Sequence, residues 1–494
     1  MEFKAKLFGL AVLVLAAVGT MAVFLRPAIS RPAAVGAEFQ ARARKGAESH
    51  DPRLKGAYRF ERGGWIYVHL QGTPSQIGFQ HGYLLAPEIQ DFIKVVKLND
   101  THSTHRDWNF FLQASHNMLW PKMDAEYQQE IQGIVAGLAA RGVGLSVDDV
   151  VAMNAVAELA DYYVPWYNAQ HKVAYAPHLT SPGNCSAFVA TGSYTKDHKI
   201  VIAHNTWTNY MEGERWRIMF DIVPQHGYRI LMDGAPGVIT SGDDFGINSD
   251  GLMMTETTIS QFYGWNPNGK PEFDRSRKAL QYSTSIDDYV RIMLDGNNGG
   301  YANDWLLGDR KTNEIARFEL GLKAYKLFRT KDGYFVGSNF ASDPKVIKLD
   351  TKFDPNNPET SPNARRARWE QLMKQHKGQI DVHLGEQFLS DHTDAYAHKV
   401  EADERTLCGH VEDSPRGAQV WDWPAYFPGG AVQGKVTDSD MAAHMSLMAR
   451  RGHPCGDDFI ASTFLKQHPQ YSWMSPLLTD MKAGPWTQFR SGER

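Results

Sequence analysis

The period of the apolar positions changes twice along the chain. Residues 7–25 are apolar, broken only by small residues, and follow Lys4 and Lys6. Further on, Trp65-Ile-Tyr-Val-His-Leu reads as a short strand closed by the turn Gly72-Thr-Pro-Ser. Ser75 opens a helix through Gly78-Phe-Gln-His-Gly82 to Ile89, and its glycines predict close packing against another helix. Ile131, Ile134, Val135 and Leu138 have helical spacing, and Gly142 and Gly144 end that segment. Ser146 and Asp149 have the spacing of a capping box for a second helix over residues 147–159. An aromatic and proline-rich stretch over 162–182 reads as a loop.

After Gly183-Asn184 the period shortens. Cys185-Ser-Ala-Phe-Val-Ala, Ile200-Val-Ile-Ala, Trp216-Arg-Ile-Met-Phe-Asp-Ile-Val and Tyr228-Arg-Ile-Leu-Met are strand-like. A turn at residues 246–251 leads to another strand at 252–259, and helices are predicted over 275–281 and 285–294. A hairpin around Arg310-Lys-Thr-Asn and strands at 325–328 and 334–337 follow. A helical third followed by antiparallel strands with interspersed helices predicts an α+β fold.

Composition changes this picture little. The chain has 494 residues, 42% hydrophobic and 22% charged, with a net charge of -4. That balance offers no electrostatic hold on nucleic acid. The apolar run behind a basic start reads as an export signal, and its 19 residues also suffice to span a bilayer. A cleaved signal peptide and an uncleaved anchor both put the rest of the chain outside the cytoplasm, periplasmic or extracellular. The segmentation is 1–40 for targeting and linker, 41–184 for a helical N-terminal fragment, and 185–494 for the catalytic chain.

The three cysteines carry the candidate chemistry. In an oxidising compartment Cys408 and Cys455 pair as a disulfide and leave Cys185 as a lone thiol. A thiol after Gly183-Asn184 at the head of a strand can attack the carbonyl of Asn184 and release a new N-terminus at Cys185. That residue then carries a thiol and an α-amine with an intrinsic pKa of about 8, close enough to act as its own base. Asp243 and Asp244 have no His or Glu spaced to complete a metal site, and no HxH or HxxxH pair occurs. No metal and no cofactor are expected.

Four blocks resemble the phospholipase B-like family of N-terminal-nucleophile (Ntn) hydrolases. They are Asn184-Cys-Ser-Ala-Phe with Ile202-Ala-His-Asn-Thr-Trp207; residues 234–259; Asn297-Asn-Gly-Gly-Tyr-Ala-Asn-Asp-Trp305; and Gly430-Ala-Val-Gln-Gly-Lys-Val-Thr437. The chain is also similar to the autoproteolytic acyltransferases typified by acyl-CoA:6-aminopenicillanate acyltransferase, chiefly at Gly78-Phe-Gln-His-Gly82. The resemblance implies an αββα four-layer sandwich of two antiparallel sheets between helical layers, with cleavage between Asn184 and Cys185 into two fragments that stay associated. It implies Asn339 as an oxyanion donor, Arg365 as a cation near the thiol, and His204 beside the nucleophile. Thr206 stands where the penicillin-type relatives carry an aspartate. Thr206, Trp207 and Asn248 are the expected substrate-side residues; Asn248 also fits a turn cap. Tyr210, Phe262 and Trp265 would suit an apolar acyl chain. The implied activity is hydrolysis of an acyl ester or amide through a Cys185 thioester, on a lipid or other acyl-chain substrate. Transfer to an amine, or an inactive protein that binds lipids or peptidoglycan fragments, are the alternatives.

Overall fold

The computed structural model describes residues 51–173, 184–242 and 245–494. The export signal, Gly183, Asp243 and Asp244 lie outside these residues. Among the described residues, no helix is long and apolar enough to cross a membrane.

Two large sheets organise the described chain. The first runs Tyr58–Arg62, Trp65–Gly72, Ile218–Pro224, Ile230–Gly234, Phe245–Asn248, Leu252–Thr258, Asn303–Asp309, Glu314–Leu320 and Tyr325–Thr330. The second runs Gly333–Gly337, Ser186–Thr191, Val201–Asn209, Gly429–Asp438, Ser446–Arg451 and Thr487–Arg490. Neighbours are antiparallel, except that Trp65–Gly72 runs parallel to Ile218–Pro224. The segment before residue 184, expected to be helical, therefore also supplies two strands to the larger sheet.

Side-chain alternation builds the layers. Ala187, Val189 and Ile202 of the second sheet meet Met219, Leu231, Phe245, Ile247 and Met253 of the first in one apolar cluster. From the same strands, Phe188, Ala190 and Ala203 point outward, onto Trp369 and Leu372 of the Ser361–Gln375 helix and Phe388 of the Val382–Leu389 helix. The outer face of the first sheet, including Ile66, Val68 and Phe220, packs on Ile77, Ile89, Ile131 and Ile134. The order is helices, sheet, sheet, helices: an αββα sandwich. The described residues form a single compact unit.

The helices Pro74–Leu84 and Ala125–Ala140 cross where the glycines predict. A Cβ on Gly78 would stand 1.9 Å from the Glu130 carbonyl oxygen, and one on Gly82 2.1 Å from that of Ile134. The backbones touch, so no side chain fits. The capping box at Ser146 and Asp149 is formed. Beyond it, helical turns continue to Gln170 through a π-turn at Leu159–Tyr163, across the first half of the stretch read as a loop. The aromatic side chains there, with Tyr163 and Tyr167 against Phe110, hold the helix by tertiary packing.

Candidate active site

Cys185 immediately precedes the Ser186–Thr191 strand and is buried. Pairing of this strand with Val201–Asn209 sets Ser186 opposite Asn205, and the Asn184 N–H donates to the Trp207 carbonyl at 3.0 Å. On the other side, Gly337 stands opposite Ala187. Two residues further along, Asn339 Oδ1 accepts the Cys185 N–H at 3.0 Å. The Cys185 sulfur faces Glu256 Oε1 at 4.0 Å, across the gap between the sheets. Sulfur, a ring nitrogen of His204 and a carboxylate oxygen of Glu256 all lie within 4.8 Å of one another.

Arg365 enters from the helical layer and is fully buried. Its guanidinium donates to the Cys185 carbonyl oxygen at 2.5 Å, Ser186 Oγ at 2.9 Å, Asn339 Oδ1 at 2.8 Å, Ser338 O at 3.3 Å and Ser361 Oγ at 3.0 Å. All five acceptors are neutral. Burial pushes its pKa down to about 9, and the Cys185 thiol is the group that pulls it back up.

His204 is buried, and its Nδ1 faces Thr206 Oγ1 at 3.2 Å. Thr206 Oγ1 already accepts from Lys435 Nζ. Burial first, and Lys435 second, push the His204 pKa well below its ordinary value, so the ring is neutral. Lys435 is ion-paired with Asp233 at 2.9 Å, both fully buried. Thr206 has no charge of its own to hold an amine, and the Asp233 carboxylate nearby is ion-paired with Lys435.

Several expected residues take other places. Asn339 turns its oxygen to Cys185 and Arg365, while its Nδ2 donates to the Thr258 carbonyl at 2.9 Å. Its oxygen thus holds the Cys185 N–H, and one of its two Nδ2 protons goes to Thr258. Trp207 packs among Cys408, Trp421 and Ala431, and Arg365 stacks on its ring at 4.3 Å. It is a platform for the arginine, not a substrate contact. Asn248 Oδ1 accepts the N–H groups of Asp250, Gly251 and Leu252, and its Nδ2 donates to Leu280 O and Ser283 O. All its polar atoms are used in the turn. Cys408 and Cys455 are not paired: both are free cysteines, with His410 Nε2 3.6 Å from each sulfur. The expectation of no metal site rested on local HxH and HxxxH spacing. Here ligand-type side chains converge from distant segments.

Glu256 and Tyr301 were not singled out in the sequence. Tyr301 O–H donates to Glu256 Oε1 at 3.1 Å, and Tyr301 also lines a mostly apolar pocket. Phe92, Met153, Trp216, Val238 and Phe273 form much of its wall. The one available signal was a lone acid inside the apolar strand Leu252–Thr258.

The described residues thus form an αββα sandwich with Cys185 heading an inner strand of the second sheet. A family model described as phospholipase B matches residues 66–326, just over half of the 494 residues. The chain belongs to the phospholipase B family. It is similar to a phospholipase B-like 2 protein of Mus musculus, 33% identical over 163 residues, covering 29% of this chain and 26% of that protein. It is also similar to an uncharacterized protein of Archaeoglobus fulgidus, 24% identical over 302 residues, covering 56% of this chain and 46% of the other. The match thus spans between about a quarter and a half of these relatives' length. Among solved structures, a conjugated bile acid hydrolase from Clostridium perfringens is similar at 12% identity with a TM-score of 0.32, covering 54% of this chain and 88% of that one.

Proposed function

We propose that the chain is an autoproteolytically activated hydrolase that cleaves an acyl ester or amide through a thioester on Cys185. The observation that carries this reading is the grip on the backbone nitrogen of Cys185, 3.0 Å from Asn339 Oδ1, with the sulfur of the same residue facing Glu256. A cysteine that only packs needs no dedicated side-chain acceptor for its N–H. One whose nitrogen becomes a free amine does, because the amine must be aimed at its own sulfur.

Maturation starts with the Cys185 thiol giving its proton to Glu256, whose Oε1 lies 4.0 Å from the sulfur. Sulfur attacks the Asn184 carbonyl carbon, the C–N bond breaks, and the proton passes to the departing Cys185 nitrogen. Water then hydrolyses the thioester and leaves an Asn184 carboxylate, a free thiol and an α-amine. In turnover the amine, with an intrinsic pKa of about 8, takes the thiol proton. The thiolate attacks the substrate acyl carbon, and the ammonium protonates the leaving alcohol or amine. Water, deprotonated by the amine, releases the acid and restores the thiol.

The charge of Arg365 favours the thiolate. Its five neutral acceptors leave it without a counter-ion among them, and a buried charge is costly unless paired. The apolar cavity that begins at Tyr301 suits an acyl chain, which makes a phospholipase B-like lipid or an N-acyl amide the substrate class. The two fragments stay associated because Trp65–Gly72 pairs over its whole length with Ile218–Pro224. The apolar N-terminal run directs export, with or without retention at the membrane.

Intact mass and N-terminal sequencing of the wild type beside Cys185→Ala test this directly. A wild-type chain beginning Cys-Ser-Ala-Phe, an uncut variant, and acid released from acyl substrates only by the former are the expected results. An uncut wild type that turns over no ester or amide would sink the proposal and favour a binding protein.

A further inference from the structure

Behind the active site a second group of reactive side chains converges. His392 follows the Val382–Leu389 helix, Cys408 and His410 precede the Gly429–Asp438 strand, and Cys455 follows the Ser446–Arg451 strand. One sulfur or ring nitrogen from each lies within 4.8 Å of all the others. His410 Nε2 is 3.6 Å from Cys408 Sγ and 3.6 Å from Cys455 Sγ. His392 Nε2 is buried and makes no hydrogen bond.

These spacings are the edges of a coordination tetrahedron. Zn–S bonds of about 2.3 Å and Zn–N bonds of about 2.0–2.1 Å at the tetrahedral angle set sulfur and nitrogen roughly 3.6 Å apart. The support around the ring fits too. His410 Nδ1 faces Glu412 Oε1 at 3.1 Å, the carboxylate contact that orients a metal-bound imidazole. Tyr210 O–H donates to the other oxygen of Glu412, and His453 Nε2 lies 3.5 Å from Oε1.

We propose that His392, Cys408, His410 and Cys455 bind one zinc ion. Four protein ligands close the coordination sphere, so the ion is structural. The thiols lose their protons on binding and their two negative charges offset the ion; the histidines bind neutral. Zinc ties together three segments spread over residues 392–455. It also braces the catalytic wall. Gly409, between two of the ligands, lies so close to Trp207 that a Cβ would stand 1.9 Å from its ring, and Trp207 carries Arg365. The rival use of the same sulfurs is a disulfide, which would draw them to about 2.05 Å and away from both imidazoles.

The full-length protein, purified in metal-depleted buffer without chelator, gives the test. Zinc is counted by mass spectrometry of the elements, and the thiols are mapped by alkylation and non-reducing peptide mass spectrometry. The expected result is one zinc per chain, Cys408 and Cys455 alkylated only after chelation, and zinc reduced to a small fraction in Cys455→Ser and in His392→Ala. Should those variants fold poorly, cobalt exchanged into the wild type must show the visible absorption of four-coordinate thiolate cobalt. A Cys408–Cys455 disulfide in the wild type, zinc content equal in wild type and folded variants, or cobalt without that absorption overturns the assignment. None of these readouts depends on Cys185 being catalytic.

Discussion

The backbone N–H of Cys185 donates to Asn339 Oδ1 at 3.0 Å, and Asn339 reaches it from a left-handed backbone conformation with φ of 68°. Asparagine is among the few non-glycine residues that tolerate this region. The strain is held by bonds at both ends of its amide, to Cys185 and Arg365 on one side and Thr258 on the other. The relationship makes Asn339 the keeper of the nucleophile's nitrogen.

Asn339→Ala should therefore slow turnover more than it weakens binding. A hydrogen bond to a charged group is worth about 1.5–3 kcal/mol, which corresponds to roughly a 10- to 100-fold loss in kcat. KM should move little, because the amine does not hold the substrate before reaction. Steady-state kinetics on matured protein separate the two. An unchanged kcat would remove Asn339 from the mechanism.

Arg365→Lys should not rescue Arg365→Ala. A lysine offers a single point charge, whereas the guanidinium fork reaches five separate acceptors. Each buried acceptor left unmet costs about 1–3 kcal/mol. Both variants should unfold at clearly lower temperature and self-cleave slowly, as read by calorimetry and by the intact-mass time course. A lysine variant with wild-type stability would show that charge alone matters there.

Stability should decline from mildly acidic to mildly alkaline pH. Burial pushes Glu212 up to about 7, and burial with repulsion from Glu158 pushes Glu272 up to about 8; both line the apolar cavity. A carboxyl with a raised folded pKa binds its proton more tightly when folded. Its contribution is complete below the ordinary value of 4.5 and is lost as pH rises through about 7 to 8. Thermal midpoints across this window should fall for the wild type and fall less for Glu212→Gln. Midpoints that rise with pH in both would contradict the account.

Acyl length should be read by the cavity wall. Each added methylene that finds apolar contact contributes about 0.8 kcal/mol, close to fourfold in kcat/KM. Val238→Trp fills part of the cavity. It should flatten the gain with chain length while leaving the shortest acyl substrates near wild-type rates. A parallel loss for every chain length would place the acyl group elsewhere.

Local pattern made much of the fold legible. The strands at 186–191 and 252–258 are buried throughout, because one face meets the opposite sheet and the other meets helices. Gly78 and Gly82 announced a helix crossing before any partner helix was known. Cys185 stood out as a candidate because the chemistry proposed for it is local, a thiol and its own nitrogen on one residue. Other parts were not. The stretch 162–170 is helical through contacts with Phe110, which no propensity reveals. Glu256 and Lys435 lay inside family blocks, but nothing local in the sequence showed that either would be buried.

By itself the sequence determined the period of most elements, Cys185 as the candidate nucleophile and the family blocks, since these depend on neighbours in the chain. Only the tertiary structure decided what the buried polar groups do. It turned the Asn339 amide toward Cys185, paired Lys435 with Asp233, used Trp207 as the bed of Arg365, and brought Cys408 and Cys455 to His410 as free thiols. The reason is physical. A buried polar group must find its partner wherever the packed core offers one, and those partners lie tens to hundreds of residues away.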